Sequence, residues 1–402
     1  MTPRPTPDPS IGERIRDRRL RRGWSIRYAA SRAGVSHATW SRIERGRQAA
    51  DNRFVLADLA TALECSPAEL AGTSVPAGDR AAVAAHAAVH GIRQALVDLD
   101  LSAPGPSAPP PDLAALARTA ELVDDLRRSC DYAGAGRLIP DLLRGLHAAT
   151  ALDDRARALR LLCEVTFIAS SVLRNLGHPA EAWLGAERCR DAADATRDPI
   201  LRGYAAYARA SAANACGSYD RGLALAEQAV EALRPDTARP GGAAMLGSLQ
   251  LICAYASRGR RRLDDSRAWC AEAAELARRT GETTTLGLYF GPTNVGIWRI
   301  GIETDGDDPV RAARIARDTD PAALPVGFRQ VFYYADTARA LARLCGRDRE
   351  AIRFLLTAER VAPQHVHTSS LVQETARALL DRSRRLAGGT ELRAFCERLQ
   401  IG

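Results

Sequence analysis

The hydrophobic residues of this chain recur at helical spacing along almost its whole length. From Ile11 to Leu399 the apolar positions follow a period of about 3.6 residues, and no segment sustains the alternation of a half-buried strand. The pattern therefore predicts an all-α protein. Two Pro-rich stretches interrupt it, the first ten residues and residues 104–111, and the second of these predicts a short, stiff linker.

A regularly spaced glycine predicts a series of helical hairpins in the larger part of the chain. Five glycines each separate a long amphipathic segment from a shorter one: Gly177, Gly217, Gly259, Gly306 and Gly346. Their spacings are 40, 42, 47 and 40 residues, and glycine accepts the positive φ that such turns require. With a further helix pair in residues 112–150, we expect about six hairpins and a terminal capping helix, stacked as a solenoid with a concave inner surface.

Charge is distributed unevenly along the chain. The 402 residues carry a net charge of +8, and no lysine contributes to it, so all 56 basic residues are arginines. Residues 1–75 hold 13 arginines against 8 acidic residues, a net of +5, which favours a polyanion as the partner of this part. Because the chain has no apolar run of membrane-spanning length and no apolar leader, we expect a cytoplasmic protein without membrane contact.

Residues 11–72 predict a small domain of five short helices. Ser25 and Ser36 are placed to cap the second and third helices, and Gly34 and Gly46 are placed to end them. Two helices joined by a short turn, the second one polar on its outer face, are typical of proteins that insert that second helix into the major groove of DNA.

The segment AGVSHATWSRIERG at residues 33–46 resembles the core of the Cro/repressor (XRE) helix-turn-helix family, and SRIERG is its closest part. The resemblance covers residues 11–72. It implies a lambda-repressor-like five-helix domain that binds double-stranded DNA, expected as a homodimer on an inverted repeat. It also implies that Glu44 braces the fold. The family often has Gln where this chain has Ile26, so the contact made by that Gln is not expected here.

The resemblance assigns roles to individual residues. It implies phosphate contacts for Ser36 and Thr39, and base contacts for His37, Ala38 and Arg42. A bidentate contact of Arg42 to a guanine is worth about 1–3 kcal/mol of discrimination. Four more arginines are expected near the phosphates: Arg27, Arg45, Arg47 and Arg53. The alternative is an ordinary solvated basic face in an arginine-rich chain.

Residues 112–400 resemble tetratricopeptide repeats, although their period exceeds the usual length of about 34 residues, and HEAT-like packing is the alternative. The layout resembles that of the peptide-sensing RRNPP regulators, and FGPTNV at residues 290–295 is similar to a motif of their actinobacterial branch. This resemblance in layout implies a transcriptional regulator with a peptide or small-molecule effector. The candidate ligand contacts are Asn214 and Asn294, whose amides can pair with a peptide backbone, and Arg299 and Arg329, which can bind a carboxylate.

The sequence therefore predicts an all-α fold in three parts: a helix-turn-helix domain at 11–72, a connecting helix and Pro-rich linker at 79–111, and a tetratricopeptide-like (TPR-like) α-solenoid at 112–400. The connecting helix is expected either to pair with a second copy or, as we favour, to pack on its own chain. A DNA-tethered scaffold whose solenoid recruits a protein partner is the alternative function. No phosphate-binding loop, dinucleotide fingerprint or nucleophile elbow occurs, so we expect no enzyme activity, no metal and no cofactor.

Overall fold

The computed structural model describes residues 9–72, 79–103, 112–384 and 389–401. Within these ranges the chain forms α-helices, two single-turn 3-10 helices (Arg234–Asp236 and Pro321–Ala323) and one short β-hairpin, which confirms the all-α class. The predicted linker at residues 104–111 and the first eight residues lie outside the described part. None of the described helices combines the length and the apolar character that crossing a membrane would require.

The N-terminal domain consists of five short helices around one core. They are α1 (Ile11–Arg21), α2 (Ile26–Arg32), α3 (His37–Glu44), α4 (Arg53–Ala62) and α5 (Pro67–Ala71). Ser25 accepts a hydrogen bond from the backbone N–H of Tyr28, and Ser36 accepts one from that of Thr39, so both predicted N-caps are confirmed. The glycines expected to end α2 and α3 both adopt positive φ, 63° at Gly34 and 66° at Gly46.

The rest of the described chain forms a stack of helices, which we call the body. It begins with α6 (Arg80–Val97). Six hairpins follow: α7 (Leu113–Arg128) with α8 (Tyr132–Ala149), α9 (Arg155–Asn175) with α10 (Pro179–Thr196), α11 (Pro199–Ala215) with α12 (Tyr219–Leu233), α13 (Gly242–Gly259) with α14 (Leu263–Thr280), α15 (Pro292–Asp305) with α16 (Pro309–Arg317), and α17 (Gly327–Leu341) with α18 (Asp348–Val361). Three helices, and not the single capping helix expected, complete the described part: α19 (Pro363–Thr368), α20 (Ser370–Arg384) and α21 (Thr390–Arg398).

Helix α6 packs on its own chain. Its buried residues Ala85, Val89, Ile92 and Leu96 belong to the same hydrophobic core as those of α8, against which α6 lies. Val83, which the sequence places on the same apolar face, is exposed. In this structure α6 is therefore the first helix of the body.

The predicted turn glycines fall into two groups. Gly177, Gly217 and Gly346 have φ values of 84°, 83° and 74°, as their place in a tight turn requires. For Gly259 and Gly306 the prediction of positive φ is wrong, because Arg261 and Asp307 adopt it instead. Gly259 meets a different requirement, since a Cβ atom there would lie 2.5 Å from the ring of Tyr219.

One element was not predicted from the hydrophobic pattern. Between α14 and α15, β1 (Thr283–Thr285) pairs antiparallel with β2 (Leu288–Phe290), with Thr283 opposite Phe290. Strands of three residues are too short for a recognisable alternation of apolar and polar positions. The insertion lies between Gly259 and Gly306, the pair with the longest glycine spacing.

Candidate nucleic-acid interface and an adjoining cavity

Helix α3 has one buried and one exposed side. Trp40 and Ile43 are buried in the core of the N-terminal domain. The exposed side carries His37, Ala38 and Arg42, and the Arg42 Nε donates to the side chain of Gln48 at 3.1 Å. The three residues expected to face DNA bases thus share one accessible surface.

Ser36 and Thr39 lie together at the start of α3. The Ser36 hydroxyl accepts from the Thr39 N–H at 3.0 Å, and the two hydroxyl oxygens are 2.9 Å apart. Since a helix N-terminus attracts negative charge, this pair is well placed beside a phosphate.

Glu44 ties α3 to α1. Its buried carboxylate accepts from Arg19 at 2.6 and 2.9 Å and from the indole N–H of Trp40 at 2.5 Å. The hydrogen bond to Glu44 raises the pKa of Arg19 although burial opposes the shift. At Gly12 in α1 a Cβ atom would overlap the carbonyl oxygen of Ile43, so the two helices are in direct backbone contact. The bracing role expected of Glu44 agrees with this geometry.

The four flanking arginines differ in their surroundings. Arg27, Arg45 and Arg47 are exposed, and none of them pairs with a carboxylate of the described residues. Arg53 instead extends into the body, where its Nη1 lies 2.5 Å from Asp305. The structure therefore places Arg53 away from the exposed side of α3.

A groove of about 1170 Å³ separates the end of α3 from the body. Arg42, Arg45 and Arg47 line it on the domain side, and Arg343 and Arg382 line it on the body side. Positive charge thus lies on both sides of this groove.

A buried set of charges joins the N-terminal domain to the body. This interdomain cluster comprises three acidic and three basic residues: Asp51, Asp305, Asp336, Arg53, Arg339 and Arg343. Arg53 bridges Asp305 and Asp336, the latter at 2.9 Å, while Arg339 donates to Asp305 and to the backbone carbonyl of Asp51. Burial alone would raise the pKa of Asp305, but Arg339 and Arg53 outweigh it and hold that pKa well below its usual range.

Apolar and polar contacts extend this junction along α4. The ring of Phe54 lies 5.6 Å from that of Tyr219 and 5.2 Å from that of Tyr255, measured between centroids. Asp58 accepts from Arg261 at 2.6 Å. The start of α4 is therefore docked against the helix ends of the body.

Sequence reasoning missed the interdomain cluster. In a chain with so many arginines, a single arginine or aspartate carries little information. A usable signal was present in α17, where Asp336 and Arg339 stand three residues apart within a largely apolar segment and are both buried. Charged residues in such a position need partners, although the sequence does not say which.

The four candidate ligand residues do not come together. Asn214 and Arg329 line a cavity of about 150 Å³, formed by the first helices of successive hairpins, which we call the inner face. The Asn294 amide donates to the carbonyl of Tyr289 in β2 and so supports the β-hairpin. Arg299 lines two grooves beside α14 and α16. Only Asn214 and Arg329 share a cavity.

Arg329 is buried without a polar partner. Its side chain is 7% exposed and forms no hydrogen bond or ion pair with the described residues. The guanidinium carbon lies 5.7 Å from the ring centroid of Trp298, 5.2 Å from that of Phe328 and 5.5 Å from that of Phe332. Burial lowers the pKa of Arg329 to about 10. Both polar atoms of the Asn214 amide also lack a hydrogen-bond partner among the described residues.

Comparison with known proteins identifies the N-terminal domain. Residues 10–72 match the model of a helix-turn-helix domain family, so the chain carries a helix-turn-helix domain followed by helical repeats. No curated protein matches the chain by sequence. A crystal structure of Bacillus thuringiensis PlcR in complex with the peptide PapR7 and DNA is similar at 13% identity, covering 67% of this chain and 95% of that chain, with a TM-score of 0.27. This likeness is too distant to add to the fold described above.

Proposed function

We propose that this protein is a transcriptional regulator that binds a specific DNA sequence through α3 and senses an effector through its body. One observation carries the proposal: α3 exposes His37, Ala38 and Arg42 on one side, while Glu44 fixes its other side to α1. A helix held in this way can enter the major groove and present the same side chains to successive base edges. The helix-turn-helix match over residues 10–72 supports it.

Each exposed residue of α3 has a distinct task in this proposal. Arg42 donates two hydrogen bonds to a guanine, and the methyl group of Ala38 contacts a thymine. Ser36 and Thr39 hold a phosphate at the helix N-terminus. The exposed Arg27, Arg45 and Arg47 neutralise further phosphates, which makes binding salt-dependent. Arg53 is not among these contacts, because the interdomain cluster holds it.

The assembly and the effector belong to the same proposal. A single domain of this size covers one half-site, so we propose a homodimer on an inverted repeat, with half-sites about one helical turn apart. The effector is a peptide or a small molecule that prefers one position of the N-terminal domains over another. In the alternative, the body recruits a protein partner and the N-terminal domain only localises it on DNA.

A footprint of the full-length protein on DNA upstream of its own gene, at about 150 mM salt, tests the proposal. We expect protection of an inverted repeat, which Arg42→Ala weakens by roughly tenfold to a hundredfold, the equivalent of one lost bidentate contact. Arg21→Ala is the matched control, because Arg21 is an exposed arginine of the same domain whose one ion pair within the described part of the chain is with Asp17.

Two results would contradict the proposal. One is weak protection that disappears with added salt and responds equally to both substitutions, since that pattern reports attraction to phosphates alone. The other is full protection by Arg42→Ala, which would remove α3 from sequence recognition. Copurification of one stoichiometric protein on the body, without any effector response, would favour the scaffold.

A further inference from the structure

The cavity on the inner face contains positive charge that the described residues leave unpaired. Arg329 has no hydrogen-bonding or ion-pair partner among them, and neither has Arg174, which lines the same cavity. The carboxylate that lines the cavity, Asp336, makes no hydrogen bond or ion pair with Arg329, and its Oδ1 accepts from Arg53 at 2.9 Å and from Arg339 at 2.7 Å. A buried charge without a partner raises the free energy of the folded protein, and binding of an anion beside it lowers that free energy again.

The aromatic rings around Arg329 compensate its charge only in part. Trp298, Phe328 and Phe332 offer the guanidinium their π faces, but they accept none of its directional N–H bonds, and the Nε hydrogen in particular has no acceptor. The Asn214 amide also lacks a hydrogen-bond partner among the described residues, but its oxygen faces Gly222 of α12, where a Cβ atom would lie 2.0 Å from it. Buried polar groups without partners are uncommon in folded proteins, so the unpartnered Arg329 guanidinium indicates a missing ligand.

The size and lining of the cavity limit what this ligand can be. Besides its polar groups, the cavity is lined by aromatic and aliphatic side chains, among them Tyr207, Ile252 and Ile297. A volume of about 150 Å³ suits a benzene-sized molecule, whereas sites for larger ligands span roughly 300–1000 Å³. The cavity itself therefore has room for one ring or one short chain.

We infer that this cavity binds a small organic carboxylate, carrying a single ring or a short aliphatic chain, whose carboxylate pairs with Arg329 and whose apolar part lies among the surrounding rings. The inference rests on the proposed function, because it assigns a chemical class to the effector of the body. Of the two effector classes in the proposed function, the small molecule is the one whose size matches the cavity.

The N-terminal domain takes part in this site through Arg53. The Arg53 side chain lines the cavity while it bridges Asp305 and Asp336. A carboxylate in the cavity therefore binds more tightly when the N-terminal domain is docked than when the domain has moved and Arg53 has left the cavity. By linkage, the ligand holds the N-terminal domain in its docked position.

Titration calorimetry and thermal unfolding of the full-length protein test the inference with two pairs of compounds. Benzoate is compared with benzamide and hexanoate with hexanamide, because each amide keeps the shape of its acid and lacks the charge. We expect at least one acid to bind and to raise Tm, and its amide to bind at least roughly tenfold more weakly, as the loss of a charge-assisted hydrogen bond implies.

Arg329→Gln and Arg299→Gln form the matched pair of variants. Arg329→Gln is expected to weaken binding of the acid at least roughly tenfold, while Arg299→Gln, which changes an arginine outside the cavity, leaves it unchanged. Arg329→Gln removes a buried charge without a partner, so the ligand-free variant should unfold at or above the wild-type Tm. Its loss of binding is then not a loss of folding.

Three results would overturn the inference: no response to either acid at about 10 mM, an equal response to acids and amides, or full binding by Arg329→Gln. The footprint on the same protein without added acid separates this failure from that of the proposed function. If protection depends on Arg42 and neither acid binds, only the carboxylate site is refuted. If an acid binds through Arg329 and no DNA is protected, the site stands and the DNA-binding role is refuted.

Discussion

Arg53, the first residue of α4, extends its side chain out of the N-terminal domain, and its Nη1 lies 2.5 Å from the carboxylate of Asp305 in the body. The backbone N–H of Arg53 donates to the same carboxylate at 3.1 Å. Asp305 is 1% exposed, so its carboxylate is shielded from water and from salt, while the Arg53 side chain remains 24% exposed. The position of the N-terminal domain is therefore fixed by buried ion pairs in addition to the chain connection.

Replacing Asp305 tests this docking. Asp305→Asn removes the carboxylate shared by Arg53 and Arg339, and breaking a buried pair in this way costs about 3–5 kcal/mol. We expect the domain to detach while the body stays folded, so the amide hydrogen of Arg53 should exchange much faster. The control is Asp318→Asn, at an exposed aspartate of the body that lies outside the cluster. Equal exchange in the two variants would show that the cluster does not hold the domain.

The crossing of α1 and α3 gives a second prediction. Gly12→Ala places a methyl group against the carbonyl of Ile43, and overpacking of this kind costs about 1–3 kcal/mol. We expect lower stability of the N-terminal domain, measured by hydrogen exchange of its core amides, together with weaker DNA binding. Gly91→Ala in α6 is the control, because its Cβ would have its nearest neighbour at 3.4 Å and a helical alanine gains up to about 1 kcal/mol.

His367 makes the stability of the body depend on pH above neutrality. Its Nδ1 lies 2.6 Å from Asp79 and its Nε2 3.0 Å from Glu359, and these bonds, the one to Glu359 first, raise the pKa of His367 above 6.5. A raised pKa means that the stabilisation is complete below pH 6.5 and is lost as the pH rises through the folded-state value. Between about pH 6 and pH 9, Tm of the wild type should fall more steeply than Tm of His367→Gln. Parallel curves would exclude a charged His367 from the stability of the fold.

His365 should make the protein less stable as the pH falls, the opposite of the pH dependence expected from His367. Burial, with Arg53 and Arg174 nearby, lowers its pKa to about 4, and its Nδ1 lies 2.8 Å from the Tyr132 hydroxyl. The unfolded chain takes up this proton near pH 6.5 and the folded chain only near pH 4, so stability is complete above pH 6.5 and declines as the pH falls between these values. His365→Gln should unfold with a smaller decline in Tm from about pH 6.5 to pH 4.5. An unchanged decline would mean that His365 is protonated in the folded protein.

The helix-turn-helix domain could be predicted from the sequence because its signals are local. The capping serines Ser25 and Ser36 lie beside the helices they begin, and Gly34 lies in the turn that needs its positive φ. The partners of Arg53 could not be predicted in this way, since Asp305 lies 252 residues further along the chain. Such a pairing depends on how the hairpins stack, which a periodic pattern does not specify.

The ligand candidates show the same limit. Asn294 was expected to face a ligand, but it bonds to Tyr289 in a β-hairpin whose three-residue strands leave no pattern in the sequence. The sequence alone gives no reason to prefer Arg329 over Arg299 as a ligand contact. Burial and the absence of a partner among the described residues single out Arg329, and both properties arise from the tertiary structure.

The carboxylate of Glu44, which holds Arg19 of α1 and the indole of Trp40 together, has a consequence for signalling. With its inner side fastened in this way, α3 cannot rotate or tilt independently of the other four helices. Under the proposed function, a signal from the body therefore displaces the N-terminal domain as one unit. In the homodimer that we propose, an effector then alters the distance between the two N-terminal domains, and with it the operator spacing that the protein accepts. Each domain continues to contact the same bases.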